Sequence, residues 1–452
     1  MSERIARPFE VTHRDVWRIA LPATLAFITE PLVGLVDITV IGRLGDTALL
    51  GGLVLGALVF DVVFSLVFFL RLGTAGLTAQ AVGAADPREG LVHLMRASLV
   101  AIALGIVLIA ATQPIVWISF AALSPDPEVV APLVDYLQVR MWSAPLVMLN
   151  YALLGWFFGR AAAKTGMALQ IFLNVVHGAL SIWFVHGLGW GVPGVALGVV
   201  IAQALTVGLG AALVVRRFGS STVLTACSDP ELFDRAALLR LFGLSRDLMI
   251  RSAALVASYG YFTAQTSRAG VLELGANAVI ENLWMLTAYF LDGLGQSAEQ
   301  LCGKAIGANW RPAFERGMRL SIVWGFAIAL VLLLVWIAFG GAAIDLMTTS
   351  EDVRAKAREY FWWGALSALT GALPFVMDGV MTGATLNAII RNGMVASLAI
   401  FLVTAALLQP LWGIHGLWAA LHIFLLSRGA IFYFAVRGQM PRLFQQSDLR
   451  VA

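Results

Sequence analysis

The stretch Pro31-Leu-Val-Gly-Leu-Val-Asp37-Ile-Thr-Val-Ile-Gly-Arg43 places a carboxylate inside a run otherwise apolar enough to cross a bilayer. A charged side chain in a membrane helix costs roughly 2.5–3.5 kcal/mol on insertion scales, so it is kept where it faces protein or water. Asp37 therefore reads as an ion or proton site. The bland alternative is a residue near the outer helix end, wetted or paired with Arg43.

Working outward, the same apolar character recurs along the whole chain. Hydrophobic residues make up 60% of the sequence and charged residues 13%, whereas soluble domains carry about 25% charge. Apolar runs of about 20 residues match a ~30 Å hydrocarbon core. Twelve such runs are expected, at 15–42, 49–72, 92–114, 130–159, 166–187, 192–215, 247–268, 276–301, 318–340, 356–385, 392–411 and 414–436. The first is too long for a signal-peptide core and has no persuasive cleavage site after it, so it reads as a retained helix. The 44 glycines suit close helix packing in lipid.

Most Lys and Arg fall on one side of this layout, among them Arg88, Arg96, Arg160, Lys164, Arg216, Arg217, Arg316 and Arg442. The other side holds Arg43, Arg268, Arg354, Lys356 and Arg358. The positive-inside rule then puts both termini in the cytoplasm. The cluster at 354–358 fits this poorly unless it belongs to an amphipathic start of span 10. A net charge of +3 is weak evidence for a nucleic-acid partner, and none is expected. Cys227 and Cys302 form neither a disulfide framework nor a metal-binding spacing.

The second half restates the first. Arg14-Asp-Val-Trp returns as Arg246-Asp-Leu-Met, and Ala81-Val-Gly-Ala-Ala-Asp86 as Ala305-Ile-Gly-Ala-Asn309. Gly155-Trp-Phe-Phe-Gly159 answers Gly379-Val-Met-Thr-Gly383, and Leu188-Gly-Trp-Gly-Val-Pro-Gly194 answers Leu411-Trp-Gly-Ile-His-Gly416. Six spans per repeat, an even number, give both halves the same orientation. The expected architecture is an all-α polytopic membrane protein of two six-helix lobes about a pseudo-two-fold along the membrane normal. The N-lobe is assigned to 1–218, a polar cytoplasmic connector to 219–245 and the C-lobe to 246–452.

These residues carry a family resemblance. The runs Ala20-Leu-Pro-Ala…Pro31-Leu-Val-Gly-Leu-Val-Asp37-Ile-Thr-Val-Ile-Gly-Arg43-Leu-Gly and Phe69-Leu-Arg-Leu-Gly-Thr-Ala-Gly-Leu-Thr-Ala-Gln80-Ala-Val-Gly-Ala contribute to it, as do Trp142-Ser-Ala-Pro145 and Leu153-Leu-Gly-Trp-Phe-Phe-Gly159. Arg246-Asp-Leu-Met-Ile-Arg-Ser252, Ala288-Tyr-Phe-Leu-Asp-Gly293 and Met377-Asp-Gly…Gly-Ala-Thr385 extend it to the second half. Together they resemble the multidrug and toxic compound extrusion (MATE) transporters, in their DinF-like branch. The resemblance implies a bacterial inner-membrane antiporter, working by alternating access, that expels organic cationic or amphipathic compounds in exchange for H⁺ or Na⁺. It implies no cofactor beyond the coupling ion and no bound metal, and the expected state is a monomer in the lipid bilayer.

Glu30 and Asp37 are seven residues apart and share a face. Pro22 and Pro31 each remove a backbone donor, making two bend points; the resemblance implies that span 1 bends as the aspartate changes protonation. Glu30 reads either as a cavity carboxylate or as a protonated structural group. In span 5, Asn174, His177 and Ser181 follow i, i+3, i+7 spacing and form one polar stripe. The family often has Asn-x-x-Asn-x-x-x-Asp there, so His177 replaces the second Asn and Ser181 the Asp; Val199 stands where relatives often have Thr. Fewer oxygen ligands and an added imidazole favour protons over Na⁺, with His177 as relay or pKa modulator. The alternative for His177 is a packing role.

In the second half, Asp378 matches a family coupling acid in span 10, but the span-7 acid used with it in relatives is absent. Asp378 alternatively pairs with Arg391. Asp292 and Glu299 read as ion-paired or wetted, and Glu281 as a cation attractor. Trp142, Tyr259, Phe262, Trp284, Met285, Met377 and Met381 are candidates for an adaptable substrate wall. No phosphate-binding loop, HExxH or GxSxG motif is present, which points away from an enzyme or an ATP-driven pump. A flippase for a lipid-linked or amphiphilic substrate is the alternative function.

Overall fold

The computed structural model describes residues 6–444, with the backbone alone described at Glu30, 236–242, 244 and 245. The described residues contain no strand. The first half holds α1 (His13–Gly42), α2 (Thr47–Val67), α3 (Phe69–Gly83), α4 (Pro87–Ala110), α5 (Thr112–Leu123), α6 (Pro127–Arg140), α7 (Ala144–Gly159), α8 (Ala163–Ile182) and α9 (Gly191–Phe218). Then come α10 (Ser220–Cys227), α11 (Arg235–Ala269), α12 (Val271–Gly307), α13 (Arg311–Met347), α14 (Glu351–Gly383), α15 (Asn387–Trp412) and α16 (Ile414–Leu443).

Only Phe68 separates α2 from α3, and a 3₁₀ turn, Met141–Ser143, joins α6 to α7. Among the described residues, 10 helical segments are long and apolar enough to cross a membrane. The expected spans 7 and 8 lie in α11 and α12, which are 35 and 37 residues long. Their apolar stretches carry Arg251, Glu281, Asp292 and Glu299. The expected polar connector is itself partly helical: α10 and a 3₁₀ turn, Pro230–Phe233, occupy much of it. Arg88 Nη2 holds Asp229 Oδ2 at 2.6 Å and Arg96 Nη2 donates to the Glu231 carbonyl at 2.6 Å. That pins the segment to α4.

The helices form two compact units. One comprises Leu25–Thr78 and Asp86–Phe242; the other takes the chain up to Thr24, Ala79–Ala85 and the chain from Gly243 onward. The boundary crosses α1 between Pro22 and Pro31, yet α1 is one helix through both prolines.

Inside each unit the repeated glycines explain themselves. A Cβ on Gly155 would fall on the Arg71 carbonyl oxygen, and one on Gly159 on that of Ala75, so α7 lies directly against α3. In the other unit, Cβ atoms on Gly379 and Gly383 would fall on the carbonyl oxygens of Gly295 and Glu299, bringing α14 onto α12. The motif is one backbone-to-backbone contact made twice, the way helices approach closely in lipid. Gly379→Ala should therefore destabilise the protein at or above the ~1–3 kcal/mol typical of overpacking. A drop in thermal stability in detergent would show it; an unchanged melting temperature would contradict the contact.

The repeat also sets the helix ends. Ala85 and Asn309 have φ of 52° and 48°, and Ala161 and Thr385 have 57° and 54°. All four are non-glycine residues in the left-handed region, closing α3, α12, α7 and α14 with the same reversal. Arg354, Lys356 and Arg358 do belong to the start of α14, where acids offset them. Arg354 meets Glu351 at 2.7 Å, Lys356 meets Glu273 at 3.1 Å and Arg358 pairs with Asp345.

Candidate ion-coupling site

Helical periodicity turns Asp37 of α1 toward α8, where His177 and Ser181 lie one turn apart on one stripe. Ser181 Oγ donates to Asp37 Oδ1 at 3.2 Å, and His177 Nε2 stands 3.2 Å from the same oxygen. The imidazole is near enough to form an ion pair when protonated but lacks hydrogen-bond alignment. Asp37 is 9% exposed, His177 5% and Ser181 0%, so their mutual contacts replace water. Arg43 is exposed, and no Asp37–Arg43 pair forms. That sets aside the wetted helix-end reading of Asp37.

Gly178 and Gly198 shape the surroundings. A Cβ on Gly178 would lie 3.7 Å from Val36, and one on Gly198 would lie 3.3 Å from the Ser181 backbone nitrogen. Val199, where relatives often carry Thr, is buried and supplies no oxygen.

Asn174 reaches α1 two turns away from Asp37. Its Nδ2 donates to Thr29 Oγ1 at 2.7 Å, and Gln170 Nε2 donates to Asn174 Oδ1 at 3.4 Å. The polar seam between α1 and α8 thus has two parts: Asp37 with His177 and Ser181, and Thr29 with Asn174 and Gln170. Thr29 and Gln170 were not anticipated. The Glu30 side chain lies outside the described residues.

Asp61, Arg71 and Arg140 are further charges inside apolar spans, the same signal that marks Asp37. Arg140 lies over the Phe60 ring at 3.9 Å, in electrostatic range of Asp61 and of Tyr136. Tyr136 is in turn within electrostatic range of Asp37. Arg71 is caged by Phe27, Phe68 and Phe158 at 4.6, 5.0 and 5.3 Å.

In the second unit the pairing differs from expectation. Asp378 does not meet Arg391; Arg391 Nη1 binds Asp247 Oδ1 at 2.6 Å. Asp378 Oδ2 is held by Arg251 of α11 at 2.8 Å and by Arg428 of α16. Arg428 is only 2% exposed. A pairing guess along the sequence could not find it, because α16 packs on α14 only in the fold. Asp292 and Glu299 lie in electrostatic range of Arg251, and Gln296 Nε2 donates to Glu299 Oε2 at 2.9 Å. Glu281 is half-buried and has no hydrogen bond or ion pair among the described residues.

Of the expected substrate wall, Phe262, Trp284, Met377 and Met381 are taken up by core packing, all at most 2% exposed. Phe262 packs edge-on to Trp418, and Trp284 donates its indole N–H to the Tyr259 hydroxyl at 3.2 Å. Met285 and Trp142 are exposed. The reason is geometric: aromatic and methionine side chains in a helix bundle fill gaps between helices as readily as they line cavities.

The fold is that of a polytopic membrane protein. Residues 22–183 and 248–411, one stretch in each half, match the MatE family model, and the chain belongs to that family. It is 34% identical over 427 residues to the DNA damage-inducible protein F of Escherichia coli, covering 92% of this chain and 90% of the relative. It is 22% identical to the multidrug export protein MepA of Staphylococcus aureus, with 90% of each covered. Among solved structures it is similar to an outward-facing multidrug resistance MATE transporter of the MOP superfamily, with a TM-score of 0.83, 17% identity and coverage of 96% and 97%. A MATE crystal structure in the bent conformation gives a TM-score of 0.86 at 16% identity, with the same coverage. The chain is therefore an integral membrane transporter of the MATE type with the MOP fold.

Proposed function

We propose that this transporter is a proton-coupled antiporter that exports organic, cationic or amphipathic compounds by alternating access. Asp37 is the proton carrier and His177 adjusts its protonation. The observation that carries the reading is the convergence of His177 Nε2 and Ser181 Oγ on one carboxylate oxygen of Asp37. An imidazole 3.2 Å from a carboxylate gives the site a second group able to take up or release a proton. Na⁺, a hard cation, wants several oxygen ligands, and here an imidazole nitrogen takes the place of one.

On this reading the chain is a monomer with twelve spans, both termini in the cytoplasm and lobes at 1–218 and 246–452. The count of twelve takes α11 and α12 as spans although they carry Arg251, Glu281, Asp292 and Glu299. Asp378, already neutralised by two guanidinium groups, is a structural counter-ion and takes no part in coupling. Relatives named for multidrug export support an organic substrate.

The test is ethidium uptake into proteoliposomes. An acidic lumen should drive uptake by the wild type, and a Na⁺-loaded lumen at equal pH should not. His177→Asn should keep transport but displace its pH optimum. Uptake driven by Na⁺ alone would remove the proton assignment, and an unmoved pH profile would reduce His177 to packing.

A further inference from the structure

The ends of α7, α8 and α9 enclose a recess of about 310 Å³ whose lining includes Trp156, Phe157, Arg160, Thr165, Arg216 and Arg217. Arg160 is fixed in it: its guanidinium lies 4.9 Å from the ring centres of both Trp156 and Phe218. Trp156 is itself anchored, its indole N–H donating to the Gly90 carbonyl at 2.8 Å.

Three arginines thus gather around one recess, and no carboxylate pairs with any of them among the described residues. On the same unit, by contrast, Arg88 is answered by Asp229 and Glu231. Burial, and then the nearby charge of Arg217, push the Arg160 guanidinium below its ordinary range. Arg160 is half-buried beside the exposed Arg216 and Arg217, and an anion in the recess would offset the three like charges. α8 also begins here, at Ala163, without a side-chain cap. The turn itself does not require an arginine, since the repeated turn after Gly383 reads Ala384-Thr385.

We propose that this recess binds a phosphate group, carried by an anionic phospholipid of the surrounding leaflet. Arg160, Arg216 and Arg217 contact the phosphate, and the half-buried Leu213 faces the apolar part of the lipid. Position favours the lipid over a free anion. The recess opens where three membrane-crossing helices end, and basic pockets between such helices take lipid headgroups. This inference does not depend on which ion drives transport.

The test uses full-length protein in neutral detergent, titrated with dioleoylphosphatidylglycerol, dioleoylphosphatidylcholine or inorganic phosphate. Retained lipid is read by native mass spectrometry and stability by thermal melting. The wild type should hold the phosphatidylglycerol at least about tenfold more tightly than the phosphatidylcholine. Arg160→Gln/Arg217→Gln should erase that preference with an unchanged lipid-free melting temperature, and the exposed Arg216→Gln should weaken it alone. Arg437→Gln/Arg442→Gln, a control pair at the end of α16, should leave it intact. Inorganic phosphate that stabilises the wild type but not the Arg160 variant would support the phosphate site and reassign its source. Absence of any preference in the wild type, or equal loss in the control pair, would overturn the proposal.

Discussion

Asp37→Asn is expected to reduce proton-driven ethidium uptake to the level of protein-free liposomes while the protein folds and inserts normally. The amide keeps the shape of the carboxylate, and its oxygen can still accept from Ser181 Oγ, 3.2 Å away in the native chain. What it loses is the ability to take up and release a proton. Removing a charge from a nearly buried position inside a membrane helix should cost no stability and can add some. Energy-independent exchange of labelled for unlabelled ethidium should survive, because that requires binding and conformational change but no coupling. Loss of exchange together with uptake would point to a structural fault, and full gradient-driven uptake would remove Asp37 as carrier.

The second large effect is on stability. Asp378→Ala should cost about 3–5 kcal/mol, the range for removing one partner of a buried ion pair. The penalty comes chiefly from what remains: Arg251 and Arg428 would face each other without their shared anion, Arg428 at 2% exposure. Thermal or SDS-driven unfolding in detergent would measure it. Asp378→Ala combined with Arg428→Met should be more stable than Asp378→Ala alone, because the second change removes one of two guanidinium groups left facing each other. Additive destabilisation in the double variant would mean that the two residues are not energetically paired.

Membership and architecture were legible because they rest on composition and repetition. Apolar runs of membrane length placed the helices. The paired glycine motifs pointed to an internal duplication, and the structure gives it a cause in the backbone contacts of α7 with α3 and of α14 with α12. Asp37 was legible for the same reason, as a charge where charge is expensive. The stripe on α8 followed from helical spacing alone, and the fold turns His177 and Ser181 toward that carboxylate.

Other features were hidden. The left-handed helix ends at Ala85, Ala161, Asn309 and Thr385 carry no glycine to announce them. Four members of the candidate substrate wall, Phe262, Trp284, Met377 and Met381, are taken up by packing, because side-chain type does not say whether such a residue faces a cavity or a neighbouring helix.

By itself the sequence determined an all-helical membrane transporter built as a repeat, and a carboxylate in its first helix that needed a partner. Hydrocarbon imposes both, since it admits only long apolar helices and few unanswered charges. The tertiary structure alone decided which partner answers which charge. Asp37 is met by His177 and Ser181 and not Arg43; Asp378 is met by Arg251 and Arg428 and not Arg391. Pairing is settled by how helices distant in sequence pack and turn their faces, and side-chain contacts a few ångströms long follow from that packing.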